Sequence, residues 1–219
     1  MTATWDGVTR GASLTGSAAA LRHVLADHAR HFDWQGVFTM LAEHPYLVNC
    51  WRPDGRSWFT PLHQVACGGA PVEVARQLIG RGAWRALRSA DGERPLDVAA
   101  RLDHGHLVDV LAPSVRSVVG PDILAAIQSR FHDVIRTRAA RFVDEQRLRL
   151  PELEVLLELD EPGMWFPVPG MYGGFQYGLV MDAGGARLVS ENWIRVVGGS
   201  RQRHEITPDR TTLTDEGFV

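Results

Sequence analysis

The sequence predicts an α+β protein: a short helical solenoid, a long connecting helix and a small antiparallel β domain. Three observations carry this. Short apolar runs at helical spacing come in pairs through the first half and repeat after about one fixed interval. A single long amphipathic run extends from Pro121 to Arg149. After Pro151 the pattern changes to short runs of strand character separated by Gly and Asp turns. The expected organisation is a flexible N-terminus over 1–14, repeats over 15–113, a connecting and capping helix over 114–150, and the β domain over 151–219.

The first helix is predicted from Ala18 to Phe32, where Leu21, Val24, Leu25 and Ala29 recur three and four positions apart. Asp33 suits the cap of a second helix, with Val37, Phe38, Met40 and Leu41 on its apolar side and a stop near Pro45. The pattern then returns. Thr60 stands where an N-cap belongs and Pro61 at the first helical position, where its missing N–H costs nothing. Leu62, Val65 and Ala66 form the apolar side of that helix, and Gly68 and Gly69 break it. Val72, Val74, Ala75, Leu78 and Ile79 make its partner, which Gly82 ends. Pro95 follows Pro61 by 34 residues and opens a further pair, with Leu96, Val98 and Ala99, then Leu107, Val108, Val110 and Leu111.

A turn and two helices at a period near 33 resemble the ankyrin repeat family. Thr60-Pro61-Leu62-His63, Ala66, Gly69, Val74, Leu78 and Gly82-Ala83 match in one repeat. Asp91-Gly92, Pro95-Leu96, Ala99, Gly105-His106, Val108 and Leu111 match in the next, and "YLVN", Tyr46 to Asn49, resembles the end of an earlier one. The resemblance covers roughly residues 18–112. It implies that the Thr60 hydroxyl and His63 imidazole satisfy backbone groups in the turn, that stacking buries the shared apolar sides, and that the protein binds partners through its turns and inner helices. Arg94 and Asp97 depart from the family's Thr and His, and extra residues widen "DGRSWFT". The last repeat therefore has the character of a cap.

Composition narrows the function. The chain has 219 residues, 45% hydrophobic, with a net charge of −3 and no basic field to gather nucleic acid. Its 23 basic residues are all Arg, which suggests a GC-rich bacterial source. Cys50 and Cys67 have no disulfide or zinc spacing, and no signal peptide or bilayer-length apolar stretch stands out. These features predict a cytoplasmic protein without cofactor or membrane partner.

In the second half, Ile123, Ile127, Phe131, Val134, Ile135, Ala139 and Phe142 form the apolar side of the long helix. Arg130, Arg136, Arg138, Arg141, Arg147 and Arg149 are assigned to a solvated face. "LEVLLEL", "MWFPV", "GFQYGLVM", "ARLVSENWIRVV", "RHEIT" and "TLTDEGFV" are read as strands. "WFPVPGMYGGF" and "RVVGGSRQRHEIT" resemble the C-terminal module of uncharacterised bacterial ankyrin proteins, a resemblance that implies no activity.

Catalytic motifs are absent. "HEITP" lacks the second His of a zincin, "GGSRQ" has Gln202 where a nucleophile elbow needs Gly, and "GMYGGF" fits no phosphate loop. His28 and His31 share helical spacing, with His23 and His44 nearby, but no set of three or four metal ligands is complete. Two candidate sites remain. Trp51, Arg52, Trp58, Phe59, Trp84 and Arg85 fall at or beside the repeat turns, and Trp and Arg dominate interface hot spots. Such aromatics need cover, either from a partner or from the protein's own C-terminal sheet. Tyr172, Arg195, Ser200, Arg203, His204 and Glu205 form a possible ligand site, with Arg for an anion and His with Glu for proton transfer. The expected function is non-catalytic protein binding through the repeat turns. The alternative is a small enzyme or anionic-ligand binder with its site in the β domain.

Overall fold

The computed structural model describes residues 3–194 and 199–218. The chain divides into two units, residues 9–114 and residues 1–8 with 115–219. The fold is mixed helix and sheet.

In the first unit the helices are α1 (Gly16–Arg30), α2 (Trp34–Glu43), α3 (Pro61–Gly68), α4 (Val72–Gly80), α5 (Pro95–Arg101) and α6 (Val108–Leu111). The helix α1 packs on α2 and α3, α3 on α4 and α5, and α6 on α4 and α5. Local chemistry sets the starts. The Thr15 hydroxyl accepts from Ala18 N–H, Asp33 Oδ1 accepts from Gly36 N–H, and Pro occupies the first position of α3 and α5. The first helix of each pair ends on a left-handed residue: Phe32 (φ 58°), Gly69 (φ 58°) and Asp103 (φ 59°). The following N–H then reaches back five residues, from Asp33 to His28 O (2.9 Å), Ala70 to Val65 O (3.1 Å) and His104 to Ala99 O (2.9 Å). Leu25, Val37, Leu62, Val65, Leu78 and Leu107 meet in one core. Leu62 is fully buried, so truncating it to Ala removes about 2–5 kcal/mol.

The second unit holds α7 (Pro121–Gln146) and strands β1 (Ala3–Thr4), β2 (Gly163–Val168), β3 (Gly173–Asp182), β4 (Gly185–Ile194), β5 (Ser200–Ile206) and β6 (Thr211–Phe218). They form one sheet in the order β1-β2-β3-β4-β5-β6, antiparallel except for β1 beside β2. Alternation puts Met164, Phe166, Phe175, Tyr177 and Leu188 inside. The helix α7 packs on this sheet, with Phe131 against Phe175 and Tyr177.

Several expectations change. The N-terminus is not a loose tail over its described residues: β1 joins the sheet and Trp5 is 1% exposed. "LEVLLEL" is not a strand but a 3₁₀ helix, Leu153–Glu158, beside α7. Val155, Leu156 and Leu157 are buried in succession, which a strand with one solvated face does not allow. The helix α7 stops before Arg149, because Arg147 turns left-handed (φ 49°), and it is interrupted at Ala139 (φ −140°). The arginines do not form one solvated face. Arg130 Nε donates to Pro208 O (2.9 Å), Arg138 reaches the sheet, and Arg149 is buried and paired with Glu152.

Candidate functional site

The turns between the helix pairs are held by polar side chains, of which Thr60 and His63 are buried. Thr60 N–H donates to His63 Nδ1 (3.3 Å), which leaves Nε2–H to donate to Glu93 O (3.2 Å), 30 residues away. This assigns His63 the Nε2–H tautomer and uses both ring nitrogens in structure. Asn49 does a similar task. Its Nδ2 donates to Gly82 O (2.8 Å) and its Oδ1 accepts from Trp84 N–H (2.8 Å). Ala90 N–H donates to Ser57 O (2.8 Å), so two successive turns lie side by side. At the other end of the helices His104 Nδ1 bonds Ala66 O (2.8 Å) and His106 Nε2 bonds Ala70 O (3.1 Å).

The turn aromatics sit among these anchors. Trp51 is buried and its ring lies 6.2 Å from that of Trp58, which is half-buried at φ 54°. Phe59 is half-buried and stacks on His63 at 5.3 Å. Trp84 and Arg85 are half-buried. Arg52 bonds Asp27 (2.5 Å), and that bond holds the Asp27 carboxyl below its ordinary value. The pair is well exposed, so it adds little to stability. Arg56 and Ser57 are exposed at the tip of the turn.

The C-terminal constellation is divided by the pleat. Ser200 and His204 pair with Ile194 and Ser190 and point to the same face as the buried Leu188 and Ile206. Arg203 and Glu205 point to the opposite face, so His204 and Glu205 do not form an acid–base pair. Tyr172 is 76% exposed in the β2–β3 turn, and Arg195 lies outside the described residues. The glycines of "GMYGGF" serve packing. A Cβ on Gly173 would stand 1.9 Å from Trp193 O, and one on Gly174 would stand 2.2 Å from Phe166 O.

Sequence reasoning placed Arg138 on the wrong side of its helix. Its Nε donates to Asn192 Oδ1 (3.0 Å) and its Nη2 to Ser200 Oγ (2.7 Å). Asn192 and Ser190 are fully buried on β4. A signal existed: in "LVSEN" Ser190 and Asn192 stand two and four positions after Leu188, on the same side of a strand. Burial, then the charge of Arg138, push the His204 pKa below its ordinary value against the opposing pull of Glu216.

His28 in α1 and His31 just past its end have structural tasks. His28 bonds Asp33 (2.7 Å) and His31 Nδ1 bonds Asp27 O (2.8 Å). Among the described residues no three His, Cys, Asp or Glu side chains converge as a metal ion requires, and no helix is long and apolar enough to cross a membrane.

No protein-family model matches the chain, and no curated protein shows significant similarity to it.

Proposed function

We propose that this chain is a non-catalytic protein-binding protein built on an ankyrin-like stack of helix pairs, which recognises a partner through its repeat turns. One observation carries the reading: three helix pairs close with the same five-residue turn and are tied to one another by side chains about one period away. Such an arrangement makes a semi-rigid frame whose turns repeat along one edge. The half-buried Trp58, Phe59 and Trp84, with Arg52, Arg56 and Arg85, supply the residue types that dominate interface energetics. The polar groups most suited to chemistry support a non-catalytic reading, since His63 is committed to its turn and His204 and Glu205 face apart.

The test uses the full chain as bait in an extract of cells that express it, beside Trp58→Ala and Trp84→Ala baits. A partner captured by the parent is purified and its affinity measured for all three. Each substitution is expected to weaken binding by about 2 kcal/mol or more, roughly 30-fold, with little change in melting temperature. Unchanged affinity, or a lowered melting temperature with affinity intact, would assign the indoles to the protein's own fold and overturn the reading.

A further inference from the structure

The face of the sheet opposite the buried Phe175 and Tyr177 holds a shallow cleft of about 370 Å³, within the range of small-molecule sites. Its floor is a glycine pair. Gly163 at the start of β2 stands directly across from Gly178 in the middle of β3, so two neighbouring strands carry no side chain there. Val189 continues that row on β4, and Val180 follows two residues on from Gly178. The next row of the cleft is polar: Gln176, Glu191 and Arg203 pair in that order across β3, β4 and β5.

The fold does not demand either glycine. Neither has a left-handed backbone. A Cβ on Gly163 would meet nothing nearer than Tyr177 O at 3.6 Å, an ordinary contact, and one on Gly178 would meet Pro162 O at 3.3 Å, which a small shift relieves. Gly173 and Gly174 differ, since a Cβ on either would run into main chain. Glycine weakens a strand. Where neither a turn nor packing requires it, it marks a place where another molecule approaches the backbone.

The rim sets the chemistry of that molecule. Glu161 and Glu191 accept hydrogen bonds, Arg203 donates, and Gln176 does both. Charge is close to balanced: Glu191 accepts from Arg201 Nη1 at 3.0 Å, and Glu161 and Arg203 supply one charge of each sign. A strongly charged ligand finds no excess of opposite charge among these groups. A purely apolar one would strip their water without replacing its hydrogen bonds. We infer that the cleft binds a neutral saccharide of one or two rings. Its hydroxyls donate to the carboxylates and accept from Arg203 and Gln176, while the C–H face of a ring lies on the glycine backbone and the valines. At the end of the polar row Trp165 stands across from Gln176 and stacks on Trp193 at 4.7 Å, a broad apolar surface beside the cleft.

The probes are glucose, galactose, N-acetylglucosamine, maltose and cellobiose, with glucose 6-phosphate as the charged control. Each is titrated into the full chain while the amide signals of Gly163 and Gly178 are followed by NMR beside that of Gly184 in the β3–β4 turn. At least one neutral sugar is expected to shift Gly163 and Gly178 saturably, in the millimolar range or tighter, and to leave Gly184 in place. Gly163→Ala is expected to keep the melting temperature and to weaken binding about ten-fold, because its methyl enters the cleft. Gln176→Ala, which leaves the floor intact, is expected to weaken binding by a similar factor. No saturable shift with any of the sugars, or tighter binding of glucose 6-phosphate than of glucose, would overturn the inference. So would a Gly163→Ala variant that loses stability while Gln176→Ala binds like the parent.

Discussion

The indole N–H of Trp5 donates to the main-chain oxygen of Arg149 at 2.9 Å, across 144 residues of chain. The Arg149 guanidinium lies over the same indole, 5.4 Å from its centre, and Arg149 N–H donates to Gly7 O at 2.8 Å. Trp5 N–H in turn donates to Trp165 O at 2.8 Å. The first described residues thus close one edge of the sheet and the exit of α7 together.

Trp5→Ala should therefore destabilise the protein by about 3–5 kcal/mol, the loss usual for a buried indole. Trp5→Phe keeps most of the apolar volume but leaves the Arg149 carbonyl unmet, and should cost about 1–3 kcal/mol. Urea titration of both variants checks the order; stability equal to the parent for Trp5→Ala would contradict the role given to this residue.

His63→Ala should cost about 1–3 kcal/mol, because Thr60 and Glu93 lose buried partners. Asp97 makes the matching bond in the next pair, accepting from Arg94 N–H at 2.8 Å, but it is exposed. Asp97→Ala should cost about 1 kcal/mol or less. Chemical denaturation that ranked Asp97 above His63 would refute the assignment of His63 as the buried anchor.

Gly173→Ala tests the close approach of β3 to β4. The added methyl carbon would collide with Trp193 O, and backbone cannot swing aside as a side chain can. A loss of about 3 kcal/mol or more, above the usual range for overpacking, is expected in a thermal melt. Gly184→Ala is the comparison, since its nearest neighbour is a flexible Asp182 oxygen at 3.1 Å.

Acid should weaken the fold in two stages. Burial pushes His132 below its ordinary 6.5, and burial and Arg138 do the same for His204. The unfolded chain then binds more protons below pH 6.5, so their stabilisation is present above that value and fades as pH falls toward the folded pKa. The second stage belongs to Asp27, Glu93 and Asp182, held below their ordinary values chiefly by bonds from Arg52, Arg101 and Arg187. Their contribution is lost below about pH 4. Melting temperature against pH should show both stages, and His132→Gln should flatten the upper one alone. A profile flat from pH 7 to 5 would count against neutral burial of these histidines.

Much of the helical half was legible because its signals are local. Thr60-Pro61 announces a helix start within two residues, and Gly69 a stop within one. The strands after Pro162 were legible as short runs of strand character between Gly and Asp turns. "LEVLLEL" was not, because a short run dominated by Leu and Val fits either a buried helix or a buried strand, and its packing against α7 decides. The candidate ligand residues were half legible. Ser200 and His204 were named, but Arg203 and Glu205 belong to the other face of the same strand.

What the sequence by itself determined is where elements begin, end and change period. The tertiary structure alone decided which polar groups are paired. Arg138 looks like one surface arginine among six until strands 54 and 62 residues away bring Asn192 and Ser200 beneath it. Trp5 looks like part of a loose tail until Arg149 and Trp165 enclose it. Propensity acts over a few residues, whereas burial and electrostatic partnership depend on groups that only folding brings within hydrogen-bond distance.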